Sequence, residues 1–215
     1  MEMTYNLSLT RNEILEIIEK SNPGSNTRFL SAADSLWYRF HNYEKNPPIG
    51  LIDDEEVVSI IFATFNRDGY TNLYEIVTVQ GKEGKGYASK IWDEYLKYAV
   101  DIKKSDRLKI SCTPSSLGWH LRNGLIFWSV DSSGSLRSDQ KLFRTREEQC
   151  EYREMVVKDP QSYLPPQKQI DKFLKEDWSG FGSKKMKRTT EAIGRAGDYW
   201  LRPFLKKMDL SAFFN

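Results

Sequence analysis

Cysteine is scarce: Cys112 and Cys150 are the only two in 215 residues. Two thiols make no disulfide framework and fit no metal-binding pattern, so neither covalent staples nor a structural metal is expected. Long apolar runs are missing too. Nothing approaches the roughly 20 consecutive apolar residues that a membrane-spanning helix requires. The opening MEMTYNLSLTRNE has no basic segment followed by an apolar core, the mark of a secretory leader. An excess of either charge is also lacking. The chain has 32 Lys and Arg against 30 Asp and Glu, which leaves +2 at pH 7. So small a surplus does not by itself imply a polyanionic partner. No internal repeat or low-complexity tract interrupts the chain. The expectation is a cytoplasmic protein with no membrane partner.

What is present is a globular composition, 39% hydrophobic and 29% charged, with plentiful aromatics at 13%. The length suits one full core plus an extension. The chain is organised around residues 72–100, NLYEIVTVQGKEGKGYASKIWDEYLKYAV. Leu73, Ile76, Val77 and Val79 read as a buried strand. Ile91, Tyr95, Leu96 and Ala99 recur at helical spacing. Gly81, Gly84 and Gly86 therefore fall at a strand-to-helix corner. The first amides of a helix lack internal partners, and the macrodipole adds about half a positive charge there. Glycines allow close backbone approach and positive φ, and Lys82 and Lys85 add mobile positive charge. Such a corner is either a tight solvated turn or a phosphate cradle; the flanking strand and helix favour the cradle. It is not a P-loop, because Lys85 is followed by Gly86 rather than Ser or Thr. Nor is it a Rossmann fingerprint, because the order is GxxGxG after an antiparallel sheet.

Other elements follow in order. Tyr5–Leu9 is expected as the first strand. Thr10 and Glu13 form a capping-box pattern ahead of Ile14, Leu15, Ile17 and Ile18, a helix to about Lys20. Ala32–Tyr43 carries Leu36, Trp37 and Phe40 on one helical face. Ile49–Phe65 reads as two strands joined by an acidic turn, and Asn66–Gly69 turns back into the organising strand. Arg107–Thr113 alternates, with Leu108, Ile110 and Cys112 on one face. A helix separates it from the organising strand, so the two should run parallel. Phe127–Val130 is expected as a strand, Asp131–Ser135 as a flexible turn and Lys141–Arg144 as the last strand. Glu147–Val157 reads as a helix, the prolines at 160, 165 and 166 as a linker, and Ile170–Trp178 as a short helix.

This ordered set resembles the Gcn5-related N-acetyltransferase (GNAT) family over about Tyr5–Arg144, roughly two thirds of the chain. The family's acyl-CoA loop reads Arg/Gln-x-x-Gly-x-Gly/Ala. Gly84 and Gly86 match its last two positions; Gly81 stands where Arg or Gln is usual, and Gln80 is one residue early. The resemblance implies an α/β (α+β) fold with a mixed central sheet. Antiparallel first strands precede a splayed parallel pair, flanked by helices. The implied division is a GNAT-like domain at 1–144 and a helical, basic and aromatic extension at 145–215 packed on it. It further implies acetyl-CoA (acyl-CoA) as cofactor, bound through Val77, Val79, Gln80, Gly81, Lys82, Gly84, Lys85, Gly86, Tyr87 and Ser115, and acyl transfer to an amine.

The implied chemistry needs a base, an oxyanion donor and an acid for the leaving thiolate. Glu75 stands where family members have a base, and the Val79 amide where they have the oxyanion donor. The family often has an acidic Tyr four residues before the glycine matched by Gly124. Here that position is His120, either a replacement acid or a partly buried imidazole bonded to the backbone. Tyr87 is the weaker acid candidate. Trp37, Tyr38, Phe40 and His41 either line the acceptor pocket or fill the core. Cys112 reads as a small core residue rather than a nucleophile.

Beyond Arg144 the basic residues interleave with Phe, Tyr and Trp. That combination suits nucleic acid, through phosphate contacts and base stacking, or an amphipathic helix packed on the parent domain. Two alternatives to an N-acetyltransferase acting on a small molecule or protein follow. One is a phage-type, Mom-like enzyme that modifies DNA bases; the other is a non-catalytic binding module. A monomer or homodimer is expected.

Overall fold

The computed structural model describes residues 2–5, 7, 9–10, 12–13, 16–17, 48–112, 116–127, 129–130 and 136–159. Trp37, Tyr38, Phe40, His41 and Ser115 lie outside them, as do Ala32–Tyr43 and everything beyond residue 159. The chain forms two compact units, Met1–Asp106 and Arg107–Asn215. No helix among the described residues is long and apolar enough to cross a membrane.

The first unit is an antiparallel meander. Strand β1 (Glu2–Thr4) pairs with β2 (Ile49–Asp53), β2 with β3 (Glu56–Phe65), and β3 with β4 (Tyr70–Thr78). The acidic turn between β2 and β3 holds Asp54 at φ 50° and Glu55 at φ 64°. Two successive positive φ values are what a twisted two-residue hairpin demands. Val58 through Ala63 are all buried, which makes β3 the apolar spine of the unit. The first strand lies earlier than Tyr5–Leu9. Pairing follows the free edge of β2 rather than apolar content, and the chain leaves the ladder after Thr4. From there Leu7 donates its amide to the Pro48 carbonyl (3.2 Å) and Leu9 is buried. The expected capping box forms: Glu13 N–H donates to Thr10 Oγ1 (3.3 Å) and Thr10 N–H to Glu13 Oε2 (2.6 Å).

Helix α1 (Tyr87–Lys97) follows β4. Its buried stripe is Tyr87, Ile91, Trp92, Tyr95 and Leu96. Burial of each large side chain is worth about 1.5–3 kcal/mol. Tyr95 would bury a bare hydroxyl, but its oxygen lies 2.7 Å from Thr71 Oγ1. The helix runs into a wider π turn, Tyr98–Ile102, in which Lys103 N–H reaches back to the Tyr98 carbonyl.

In the second unit β5 (Arg107–Cys112) pairs antiparallel with β7 (Leu136–Lys141), and β7 with the short β6 (Ser129–Val130). Leu108, Ile110 and Cys112 share the buried face, as their alternation implied. The last strand is Leu136–Lys141, not Lys141–Arg144. Its inward residues are Leu136, Ser138 and Gln140, a half-polar face that hydrophobicity alone does not reveal. Gln140 Oε1 accepts from Ile126 N–H (2.8 Å) and Ser138 Oγ (2.7 Å), which makes that burial tolerable. Helix α2 (Leu117–Arg122) ends at Gly124, where a Cβ would lie 2.7 Å from Cys150 N. Only glycine lets helix α3 (Arg146–Lys158) approach so closely. A capping box between Thr145 and Glu148 starts α3, and Arg153 donates to the Leu121 carbonyl.

Candidate functional site

The corner joining β4 to α1 is exposed at Gly81, Glu83, Gly84, Lys85 and Gly86. Gly81, Gly84 and Gly86 have φ of 79°, 75° and 80°. Each would strain an L side chain by about 1–2 kcal/mol. A Cβ built on any of them meets nothing within 4 Å. The glycines are thus required by backbone conformation rather than by crowding. Gly86 is the residue before α1, and no side chain caps the helix. Among the described residues, no group accepts from the amides of Gly86, Tyr87 or Ala88. Those donors lie at the positive end of the helix dipole, next in sequence to the exposed Lys85.

The rest of the corner is engaged. Val79 N–H donates to the Val58 carbonyl (3.0 Å), and the Val79 carbonyl accepts from Lys82 N–H (3.0 Å). The expected oxyanion donor is therefore used by the sheet: the antiparallel ladder runs one step past the end of β4. Val77 is buried, and its carbonyl accepts from Ser59 Oγ (2.9 Å). Gln80 is exposed. Lys82 pairs with the exposed Glu56 at 3.2 Å. Gly81 N–H donates to Glu83 Oε2 at 2.6 Å. Tyr87 donates its phenol proton to Asp53 Oδ2. That bond raises the phenol pKa, so Tyr87 ties α1 to β2 and is ill suited as an acid. Asp53, Glu56 and Glu83 are the partners that sequence reading missed. The run Asp53-Asp-Glu-Glu56 was legible as a turn, but nothing in it says which loop it braces.

Glu75 lies one residue past a β-bulge. Phe62 faces Glu75 while Ala63 faces Leu73, so Tyr74 is the extra residue on β4. The bulge breaks alternation, and Tyr74 and Glu75 are both exposed in succession. Bulges bend a strand and re-aim its side chains. Desolvation pushes the Glu75 carboxyl up to about 7. Solvent still touches the side chain, so this is a recessed carboxyl whose neighbours displace much of its water. A carboxyl in that range is a competent base near neutral pH.

His120 belongs to the second unit, in α2. It is buried against Trp119 and Phe127, with ring centroids 5.0 and 5.9 Å away. Among the described residues its buried Nδ1 has no hydrogen-bond partner. Desolvation lowers its pKa to about 4, so the imidazole is neutral at pH 7 and carries no spare proton for a thiolate. Cys112 is buried, with its thiol pushed up to about 12 by desolvation. Among the described residues no cluster of His, Cys, Asp and Glu is arranged to hold a metal.

No protein-family model matches the chain, and no curated protein matches its sequence. Solved structures do. The ribosomal-protein-S18-alanine N-acetyltransferase from Escherichia coli superposes with a TM-score of 0.51 at 8% identity, over 66% of this chain and 94% of that one. The PaiA N-acetyltransferase from Thermoplasma acidophilum, in complex with coenzyme A, gives 0.51 at 11% identity, over 66% and 99%. A point variant of the spermidine N-acetyltransferase from Vibrio cholerae gives 0.50 at 12%, over 68% and 95%. At such identities the likeness establishes the fold: α+β, a mixed sheet flanked by helices, as in Gcn5-related N-acetyltransferases.

Proposed function

We propose that this chain is an acyl-CoA-dependent N-acyltransferase, with the corner at 79–88 as its acyl-CoA seat. The observation that carries the reading is that corner. Three positive-φ glycines leave open space in front of an uncapped helix of 11 residues. A diphosphate suits it chemically: the Gly86, Tyr87 and Ala88 amides and the Lys85 ammonium would hold it. An acyl-CoA bound there would supply an activated thioester carbonyl. The chain's own part is proton handling and orientation. An amine attacks only when neutral, and the Glu75 carboxylate is poised to accept its proton, directly or through water. Asp53 fixes Tyr87, and with it the start of α1. The fold likeness supports the same reading, since one of the similar structures was solved with coenzyme A.

A second reading, a binding module without transfer, is favoured by the engaged Val79 amide and the neutral His120. The DNA-modifying alternative rests on the extension at 145–215, most of which lies outside the described residues, and on the altered loop and acid positions at Gly81 and His120. Titration calorimetry with acetyl-CoA tests the seat; failure to bind acetyl-CoA or longer acyl-CoAs sinks both readings. Release of free thiol on adding polyamines or peptides with a free N-terminus separates enzyme from module. Binding without release would favour the module.

A further inference from the structure

Glu83 stands inside the corner, between Gly81 and Gly84. Its carboxylate accepts the Gly81 amide at 2.6 Å, the short distance of a charge-assisted bond. That amide is the one that an incoming anion would meet next to Lys82. Lys82 in turn is held by Glu56. Two of the corner's donors are therefore already satisfied by carboxylates of the chain itself, while the helix amides are not. Glu83 is exposed, and among the described residues Gly81 N–H is its single partner. No second contact among the described residues anchors it, so rotation of its side chain releases the amide.

We infer that Glu83 is a resident competitor: it occupies the Gly81 amide until a phosphate displaces it, and so sets how tightly and how selectively the corner takes a phosphorylated ligand. This deepens the acyl-CoA reading and rests on the same corner. A carboxylate and a phosphate oxygen bond an amide in the same way. Their negative charges repel at that separation, so both do not stay. A monoanion gains little by exchanging with Glu83. A diphosphate, which also reaches the free helix amides, gains enough to displace it.

The test is amide NMR of the full chain and of Glu83→Gln and Glu83→Ala, titrated separately with inorganic pyrophosphate and acetyl-CoA. In the parent the Gly81 amide resonance should shift on adding pyrophosphate. Both variants should start from a displaced Gly81 resonance and bind pyrophosphate about fivefold tighter, the effect of removing one exposed charge-assisted contact. Equal or weaker binding by the variants overturns the inference and makes Glu83 a brace for the loop. Absence of pyrophosphate binding in parent and variants overturns it as well. Acetyl-CoA failing to bind while pyrophosphate behaves as expected defeats the acyl-CoA reading and leaves Glu83 as the competitor.

Discussion

The corner after β4 and the turn around His120 treat polar groups in opposite ways. At the corner the backbone is bent by glycines and exposed, and on the strand before it the Glu75 side chain remains in touch with solvent. Around His120 the imidazole is enclosed by Trp119 and Phe127, and its Nδ1 has no partner among the described residues. Loss of water pushes both groups toward their neutral forms. For Glu75 that brings the pKa to about 7, close to where a base works best; for His120 it takes the pKa to about 4, far from it. One cause brings the first group close to neutral pH and takes the second far from it. Residue type sets what a site can do. The direction of the shift relative to working pH decides whether it does it.

This contrast breaks most sharply at Glu75. Glu75→Gln should lower the transfer rate about 10²- to 10⁴-fold at pH 8, the usual cost of losing a general base. The parent's rate should rise with pH through about 7, because the carboxylate is the working form, and the variant should lose that limb. Stability runs the other way. With its folded pKa raised from 4.5 to about 7, Glu75 holds its proton more tightly folded than unfolded. Stability therefore falls as pH rises through that window. Melting of the Gln variant at pH 8 should occur above the parent. An unchanged rate would remove Glu75 from the chemistry.

Gly86→Ala comes next. The left-handed backbone costs an alanine about 1–2 kcal/mol, so the free loop should relax out of that conformation, and restoring it on binding should lower acetyl-CoA affinity by up to about five- to thirtyfold by calorimetry. The effect should fall on affinity more than on the rate at saturation. Unaltered affinity would mean the ligand sits elsewhere. His120→Leu should change the rate less than about threefold, as expected for a group that transfers no proton. Its signature is acid stability instead. The folded pKa of about 4 lies below the ordinary 6.5, so the unfolded chain takes up the proton first as pH falls. Stability is then lost between about 6.5 and about 4, on the order of 3 kcal/mol. Urea titrations at pH 7 and pH 4.5 should show that loss in the parent and not in the variant. A tenfold or larger drop in rate would return His120 to the role of acid. Thr145→Ala, smallest of the four, should cost about 1 kcal/mol of stability through the lost cap and leave binding untouched.

Much of the fold was legible because apolar spacing carries it. The strands at β2–β5, the turns between them and the stripe of α1 all follow from side chains that must leave water. The corner was legible because positive φ is costly to any residue but glycine. β7 was misplaced because its inner face uses Ser138 and Gln140, whose burial depends on partners brought in from Ile126. The site's acids were missed for a related reason. Exposed carboxylates pair with whatever the fold sets beside them, and neither Glu56 nor Glu83 carries a local sign of its partner. His120 could be found by counting back from Gly124, but its enclosure by two aromatic rings could not.

The spare residue in β4 gives the sheet an unusual freedom. Dropping a residue from a strand normally turns every later side chain to the wrong face. Dropping Tyr74 would not, because Glu75 through Thr78 already stand opposite Phe62 through Ser59. The ladder would simply close over the gap and straighten. A one-codon deletion there should keep the later pairs of the ladder while changing the direction of the Glu75 carboxylate, separating what holds the strand in place from what aims its side chain.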